Sequence, residues 1–264
     1  MSDSNNDSGN DMTVDVDDGP AFAAACAPLV ATLGGGFMIS SQAKAFSEAH
    51  GFRGRQGYTL GRGSVLGDVD ADVITSAFGF WPADKVREWW DSARELLDVR
   101  TARDGYAETC RAWGRARFAA FEDAERLADL LGWVVDGTDV AALPLYAGWR
   151  AVPLSDDAAG RLAQQLHVLR EYRGGMHLVA VVASGLSPLQ AVLSGPGGAG
   201  NASFFGWEEP FEDATGLALA RSEAEALTDR LVAPSWDVLG HDERVELLTL
   251  LGKAAQAAFG PAAA

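Results

Sequence analysis

Residues 168–177 read VLREYRGGMH. The stretch before it has a helical pattern: Ser155 can cap, and Leu162, Leu166 and Leu169 share one face, which predicts a helix over about 156–172. The stretch after it, MHLVAVVAS, is almost wholly apolar and predicts a second helix buried all round. Gly174-Gly175 reads as the break between them. The junction carries Arg170, Glu171, Tyr172, Arg173 and His177, and two readings of it are open. Cations in a helix's last turn complement its dipole and stay solvated. Alternatively, the apolar helix draws the junction inside, and a buried arginine must then be paired, with Glu171 or with an anionic ligand.

Outward from there the pattern stays helical, because period-two alternation is scarce and β-branched clusters are short. The expected fold class is all-α, with a disordered acidic tail at 1–20, an N-terminal helical lobe at 21–135, a linker at 136–154 and a C-terminal helical lobe at 155–264. Helices are expected near 23–33, 38–50, 71–79, 82–98, 105–131, 188–194, 223–231 and 242–259. Residues 51–67, with six glycines and Arg53, Arg55 and Arg62, read as a loop, and so does GPGGAGN at 195–201. Ser187-Pro188-Leu189-Gln190 and Ser222-Glu223-Ala224-Glu225 have the form of capping boxes.

One echo runs through the chain. Ala77, Gly79, Pro82 and Val86 recur as Ala183, Gly185, Pro188 and Val192 at identical spacing, and an Arg-Gly pair precedes each copy, Arg62-Gly63 and Arg173-Gly174. If this marks an internal duplication, the two Arg-Gly segments face each other across a ligand pocket between lobes.

Bulk charge bears on partners. The 264 residues carry a net charge of −16, with three lysines and no Lys/Arg run. Six aspartates fall within residues 1–20, leaving about −10 elsewhere. Such a chain repels duplex DNA unless its cations are segregated, so DNA is disfavoured as a partner. Cys26 and Cys110 make no disulfide framework. An acidic start is unlike a signal peptide, and no apolar run of about 18 residues is evident. The expectation is a cytoplasmic protein with no membrane partner, and a homodimer is left open.

Specific chemistry is sparse. The four histidines, His50, His167, His177 and His241, form no HxxxH or HExxH motif. No G-x-S-x-G elbow occurs. GRGSVLG lacks the Lys-[ST] ending of a phosphate loop. No metal and no cofactor are therefore expected. The candidate ligand-binding residues are Tyr58, Arg62, Phe80, Trp81, His167, Arg170, Glu171, Arg173, Met176 and His177. Together they describe an arginine- and histidine-lined pocket for a small carboxylate- or phenol-bearing molecule.

Two long motifs carry a resemblance. GYTLGRGSVLGDVDADVITSAFGFWPADKV (57–86) and LAQQLHVLREYRGGMHLVAVVASGLSPLQAVL (162–193) resemble a family of actinobacterial proteins called SalK-like. Its members are described as carrying a winged helix like that of MarR regulators. The resemblance extends over roughly 29–259, with Gly206-Trp207 and 227–240 matching its later pattern. It implies a winged-helix element near the C-terminus and a setting in secondary metabolism. This chain departs from the pattern in places. Tyr172 stands for a histidine, Gly175 for an aspartate, and Trp81 for a position often histidine. Only EEPFEDATGLALA separates Trp207 from Arg221, which is short for a recognition helix and wing, and residues 200–264 hold eleven acids against four bases. The winged helix is therefore expected to be vestigial and not to read DNA. Small-molecule binding is the main expectation. A MarR-like transcriptional regulator is one alternative, and a cofactor-free cyclase or isomerase using His177 and Arg173 is the other.

Overall fold

The computed structural model describes residues 14–260, and among them every regular element is a helix and no strand occurs. In chain order these are α1 (Gly19–Gly35), α2 (Ser41–Ala49), α3 (Gln56–Gly63), α4 (Ala71–Phe78), α5 (Ala83–Arg94), α6 (Val99–Phe118) and α7 (Ala124–Asp136). They are followed by α8 (Pro144–Arg150), α9 (Ala158–Ala183), α10 (Pro188–Leu193), α11 (Gly198–Phe205), α12 (Ala218–Val232) and α13 (His241–Phe259). The all-α fold is as the sequence predicts. With no strand among the described residues, the wing of the expected winged helix has nothing to form it.

The organising element is α9, one helix of 26 residues where two were expected. Asp157 caps it, its side chain accepting from the Gly160 amide at 2.7 Å. The Gly174-Gly175 pair does not break it. Two interior glycines cost about 1 kcal/mol each relative to alanine, and helix packed on both sides outweighs that. Gly175 also has a packing role, since a Cβ there would lie 2.6 Å from Leu143 Cδ2. The segment after the pair is less buried than its composition suggests: Ala180 and Val181 are buried, but Val182 is 73% exposed.

Around α9 pack α1, α6, α7, α8 and α12. The closest crossings use glycine: a Cβ on Gly34 or Gly114 would come within 2.4–2.5 Å of a main-chain oxygen of α9. One hydrophobic core results, running from Val16 to Ala258 and drawing on both halves of the chain. The stretch expected as a linker, 136–154, belongs to it. It forms α8, buries Leu145, Tyr146 and Trp149, and ties the Tyr146 hydroxyl to Thr138 and to the Val135 carbonyl.

Elsewhere tertiary packing overrides local signals. The glycine-rich stretch 51–67 contains α3 rather than only loop, because Gly61 lies directly under the Tyr106 ring, where a Cβ would sit 2.3 Å away. The helix expected over 105–131 turns between Phe118 and Ala124 with no glycine or proline there to signal it. Part of the expected loop 195–201 enters α11, and α12 starts at Ala218, ahead of the Ser222 box. The Ser187–Gln190 capping box forms as predicted. Most of the expected acidic tail, residues 1–13, lies outside the described residues. Its last part is ordered: Val16 is buried, its carbonyl accepts from Arg244, and Asp18 caps α1.

Within the helical run Gly19–Ala49, one 18-residue window has the composition to cross a membrane, with a mean hydropathy of 1.8. In the fold it behaves as a core element: Phe22, Cys26, Val30 and Leu33 are buried, and α1 packs on α9, α12 and α13.

The sequence echo has a backbone counterpart. α4 ends at Gly79 with φ +70, and α9 is followed by Gly185 with φ +73, both in the left-handed region that favours glycine. Pro82 then caps α5 and Pro188 opens α10. Each copy is a helix, a tight corner and a helix.

Candidate functional site

The site begins with a buried carboxylate. Glu171, in the middle of α9, is 2% exposed. From the last turn of α3, Arg62 meets it with a two-pronged contact: Nε donates to Oε1 at 2.9 Å and Nη2 to Oε2 at 2.7 Å. This fork geometry is the strongest arginine–carboxylate arrangement. Arg170 adds a third bond, Nη1 to Oε1 at 2.9 Å.

Arg62 is held from every side. Its Nη1 donates to the Tyr58 hydroxyl one turn earlier at 3.2 Å, and its guanidinium carbon lies 4.5 Å from the centre of the Phe78 ring. The Trp149 indole fixes the Arg62 carbonyl at 3.2 Å. Burial alone would raise the Glu171 carboxyl, but the charges and hydrogen bonds of Arg62 and then Arg170 hold it down to about 2. Burial works against the Arg62 cation, and Glu171 and Tyr58 more than offset it, so Arg62 stays charged. Two guanidinium groups thus share one carboxylate, and this wall carries a net positive charge.

A cavity of about 400 Å³ opens on it. Tyr58, Arg62, Phe80, Trp81, Arg170, Glu171 and Arg173 from the sequence-predicted set line this space. The other three do not. His167 lies behind Glu171, edge-on to Phe37 and Trp149. Its Nδ1 is 3.9 Å from Glu171, too far for a hydrogen bond, and neither ring nitrogen has a partner. Burial pushes its pKa down to about 4, so the ring is neutral at pH 7. Met176 packs against the core.

His177 belongs to a different cluster, facing α12. Its Nδ1 bonds the Thr228 hydroxyl at 2.9 Å; that hydroxyl donates to the Ala224 carbonyl, so the ring nitrogen is the donor here. Burial lowers its pKa to about 4 against the pull of Glu225. Arg173 reaches Glu225 at 3.1 Å and Asp229 at 3.5 Å. His177 is therefore pinned away from the cavity, which leaves no position for the acid–base role expected of it with Arg173.

Sequence reasoning missed Phe78 and Trp149. Phe78 stands in the same motif as Arg62 and could have been found there. Trp149 was hidden by the linker expectation. Among the described residues no group of three His, Cys, Asp or Glu side chains is placed to hold a metal ion.

In class, the molecule is an all-α protein built around one central helix, with two helix–corner–helix units, α4–α5 and α9–α10. A helix-turn-helix family matches residues 23–263, and the chain belongs to that family. No curated protein and no solved structure matches it. The family overturns the expectation that DNA is a disfavoured partner, since helix-turn-helix proteins point to duplex DNA. Net charge misled because it sums carboxylates wherever they lie, whereas docking depends on the field at one face. The match supports helix-turn-helix kinship and nothing narrower.

Proposed function

We propose that this protein is a cytoplasmic transcriptional regulator that binds duplex DNA and is tuned by a small organic ligand held beside Arg62, Arg170 and Glu171. The observation that carries the DNA half is the family match over residues 23–263, supported by the corner at Gly79–Pro82. The helix after that corner, α5, has 12 residues and carries Lys85 and Arg87. Lys85 pairs with the exposed Glu208, and Arg87 with the exposed Asp72. Exchanging such carboxylates for phosphates costs little, because exposed pairs contribute about 0–1 kcal/mol. The ligand half is supported by the excess of guanidinium over carboxylate at a 400 Å³ cavity. The finer kinship, with SalK-like proteins and MarR-like regulators, rests on the motifs at 57–86 and 162–193.

Fluorescence anisotropy on labelled fragments from upstream of the gene tests the DNA half. Binding is expected to weaken with salt with a log–log slope of about −2 to −4, as for roughly two to four phosphate contacts. The Lys85→Ala/Arg87→Ala double variant is expected to bind at least tenfold more weakly. Absence of retention by any fragment at about 50 mM salt, where phosphate contacts are strongest, refutes this half.

A further inference from the structure

Four consecutive residues join the cavity to the helix proposed to face DNA. A second cavity, of about 620 Å³, adjoins the first, and Phe205, the last residue of α11, lines both. Its ring meets Trp81 edge-on at 4.8 Å between centres and lies 6.5 Å from Phe80. Gly206 then turns the chain at φ +95, in the left-handed region, so close to α5 that a Cβ would lie 3.3 Å from Trp89 Cη2. The Trp207 indole donates to the Phe80 carbonyl at 2.9 Å. Glu208 ends the run on Lys85, at 3.1 Å. Three residue steps span at most about 11 Å, so the cavity wall and the first turn of α5 are joined by a tether with little slack.

The run masks its target. Lys85 keeps 28% of its side chain exposed, whereas Arg87 on the same helix, which pairs with Asp72 instead, keeps 51%. A carboxylate held on Lys85 occupies the place a DNA phosphate would take. The run is also lightly held. Within α11 only Ala202 is buried, and left-handed glycines bracket the helix, Gly197 and Gly198 at its start and Gly206 after it. An element with so little buried surface detaches at low cost. Side-chain contacts keep this one down: the Phe205 ring on Trp81, the Trp207 bond to Phe80, and Arg55, which donates to the Phe204 carbonyl at 3.1 Å.

We propose that Phe205–Glu208 is an autoinhibitory strap. Seated, it holds Glu208 on Lys85 and weakens DNA binding. Displaced at Phe205 from the cavity side, it releases Lys85 to a phosphate. The strap rests on the DNA half of the proposed function and works for any molecule that shifts Phe205.

Fluorescence anisotropy of the full chain on the labelled upstream fragments, at about 50 mM salt, tests it, with wild-type binding read first. Glu208→Gln is expected to bind about threefold more tightly than wild type, within the range of one exposed ion pair. Phe205→Leu keeps the cavity wall apolar and removes no charge, yet is expected to tighten binding about twofold by loosening the strap. Trp207→Phe, which keeps a ring and drops the indole bond, is expected to do the same. Either of these combined with Glu208→Gln is expected to bind no more tightly than Glu208→Gln alone, because one contact is released only once. Asp84→Asn removes a carboxylate from the first turn of α5 outside the strap, and its gain is expected to multiply with that of Phe205→Leu. Unchanged affinity in Phe205→Leu or Trp207→Phe, unchanged or weaker binding in Glu208→Gln, or gains that multiply in the strap doubles overturn the strap while leaving DNA binding intact. Failure of the wild type and every variant to bind removes the DNA half and the strap together.

Discussion

Helix α9 presents ion pairs on two of its faces, and the two are built differently. Toward α3 it offers Glu171, closed in by Arg62 and Arg170, with the carboxylate almost out of contact with water. Toward α12 it offers Arg173, which meets Glu225 at 3.1 Å and Asp229 at 3.5 Å, beside the neutral His177, with Glu225 40% exposed. The residues are of the same types and lie within two turns of each other. What separates them is solvent. On the first face Arg62 and Glu171 depend on each other, because water can replace neither partner. On the second, water shares the duty and the pairs are worth less.

The strongest way to break the contrast is to remove one partner from the dry face. Arg62→Ala strands Glu171 and is expected to cost about 3–5 kcal/mol in urea unfolding. The double change Arg62→Met/Glu171→Met is expected to recover most of that, because the one charge it leaves unpaired, Arg170, is part-exposed and can be solvated. A double variant as unstable as the single one would show that packing, not charge, dominates the face.

Acid should expose the same difference. The folded-state pKa of His167, about 4, lies below the ordinary 6.5, so the unfolded chain takes up the proton first. Its contribution is complete above pH 6.5, is lost as pH falls toward 4, and changes no further below that. The loss is on the order of 3 kcal/mol. His177 acts with the same sign. Glu171 adds a lower window: its contribution is present above about 4.5 and lost toward about 2. His167→Phe is expected to flatten the slope between pH 6.5 and 4 without lowering stability at pH 7, because neither ring nitrogen has a partner. His177→Phe is expected to lower stability at pH 7 by about 1 kcal/mol through loss of the Thr228 bond. Equal behaviour of the two variants would erase the distinction.

Arg173→Ala, on the wet face, is expected to cost only about 1 kcal/mol; a loss as large as that for Arg62→Ala would count against the solvent explanation. The smallest effect is a gain. No atom lies within 4 Å of a Cβ built on Gly174, which sits inside a continuous helix. Gly174→Ala is expected to stabilise by about 0.5–1 kcal/mol in thermal unfolding.

Local chemistry in the sequence predicts a good part of this. The leucine spacing before residue 170 marks α9, the Gly79 and Gly185 echo marks two corners, and the demand that a buried arginine be paired links Arg170 and Glu171. The missing parts depend on distant neighbours. Nothing near Gly174-Gly175 reveals that Leu143 will pack against the pair and that the helix will continue. Nothing within 51–67 announces that Tyr106 will lie on Gly61 and support α3. The sequence places His177 with Arg170 at one junction ahead of an apolar segment, yet the neighbours that claim it, Thr228 and Glu225, stand on a helix about fifty residues downstream.

Helix α8 ties the two halves of the chain together. Trp149 holds the carbonyl of Arg62, and Tyr146 is sealed beside Val135, before the irregular stretch 152–157 leads into α9. Severing the backbone in that stretch, where Leu154 is exposed, would cut one covalent bond and leave a core common to both pieces. The fragments would stay clasped as a non-covalent pair, whereas either one made alone would carry half an interior with nothing to close over it.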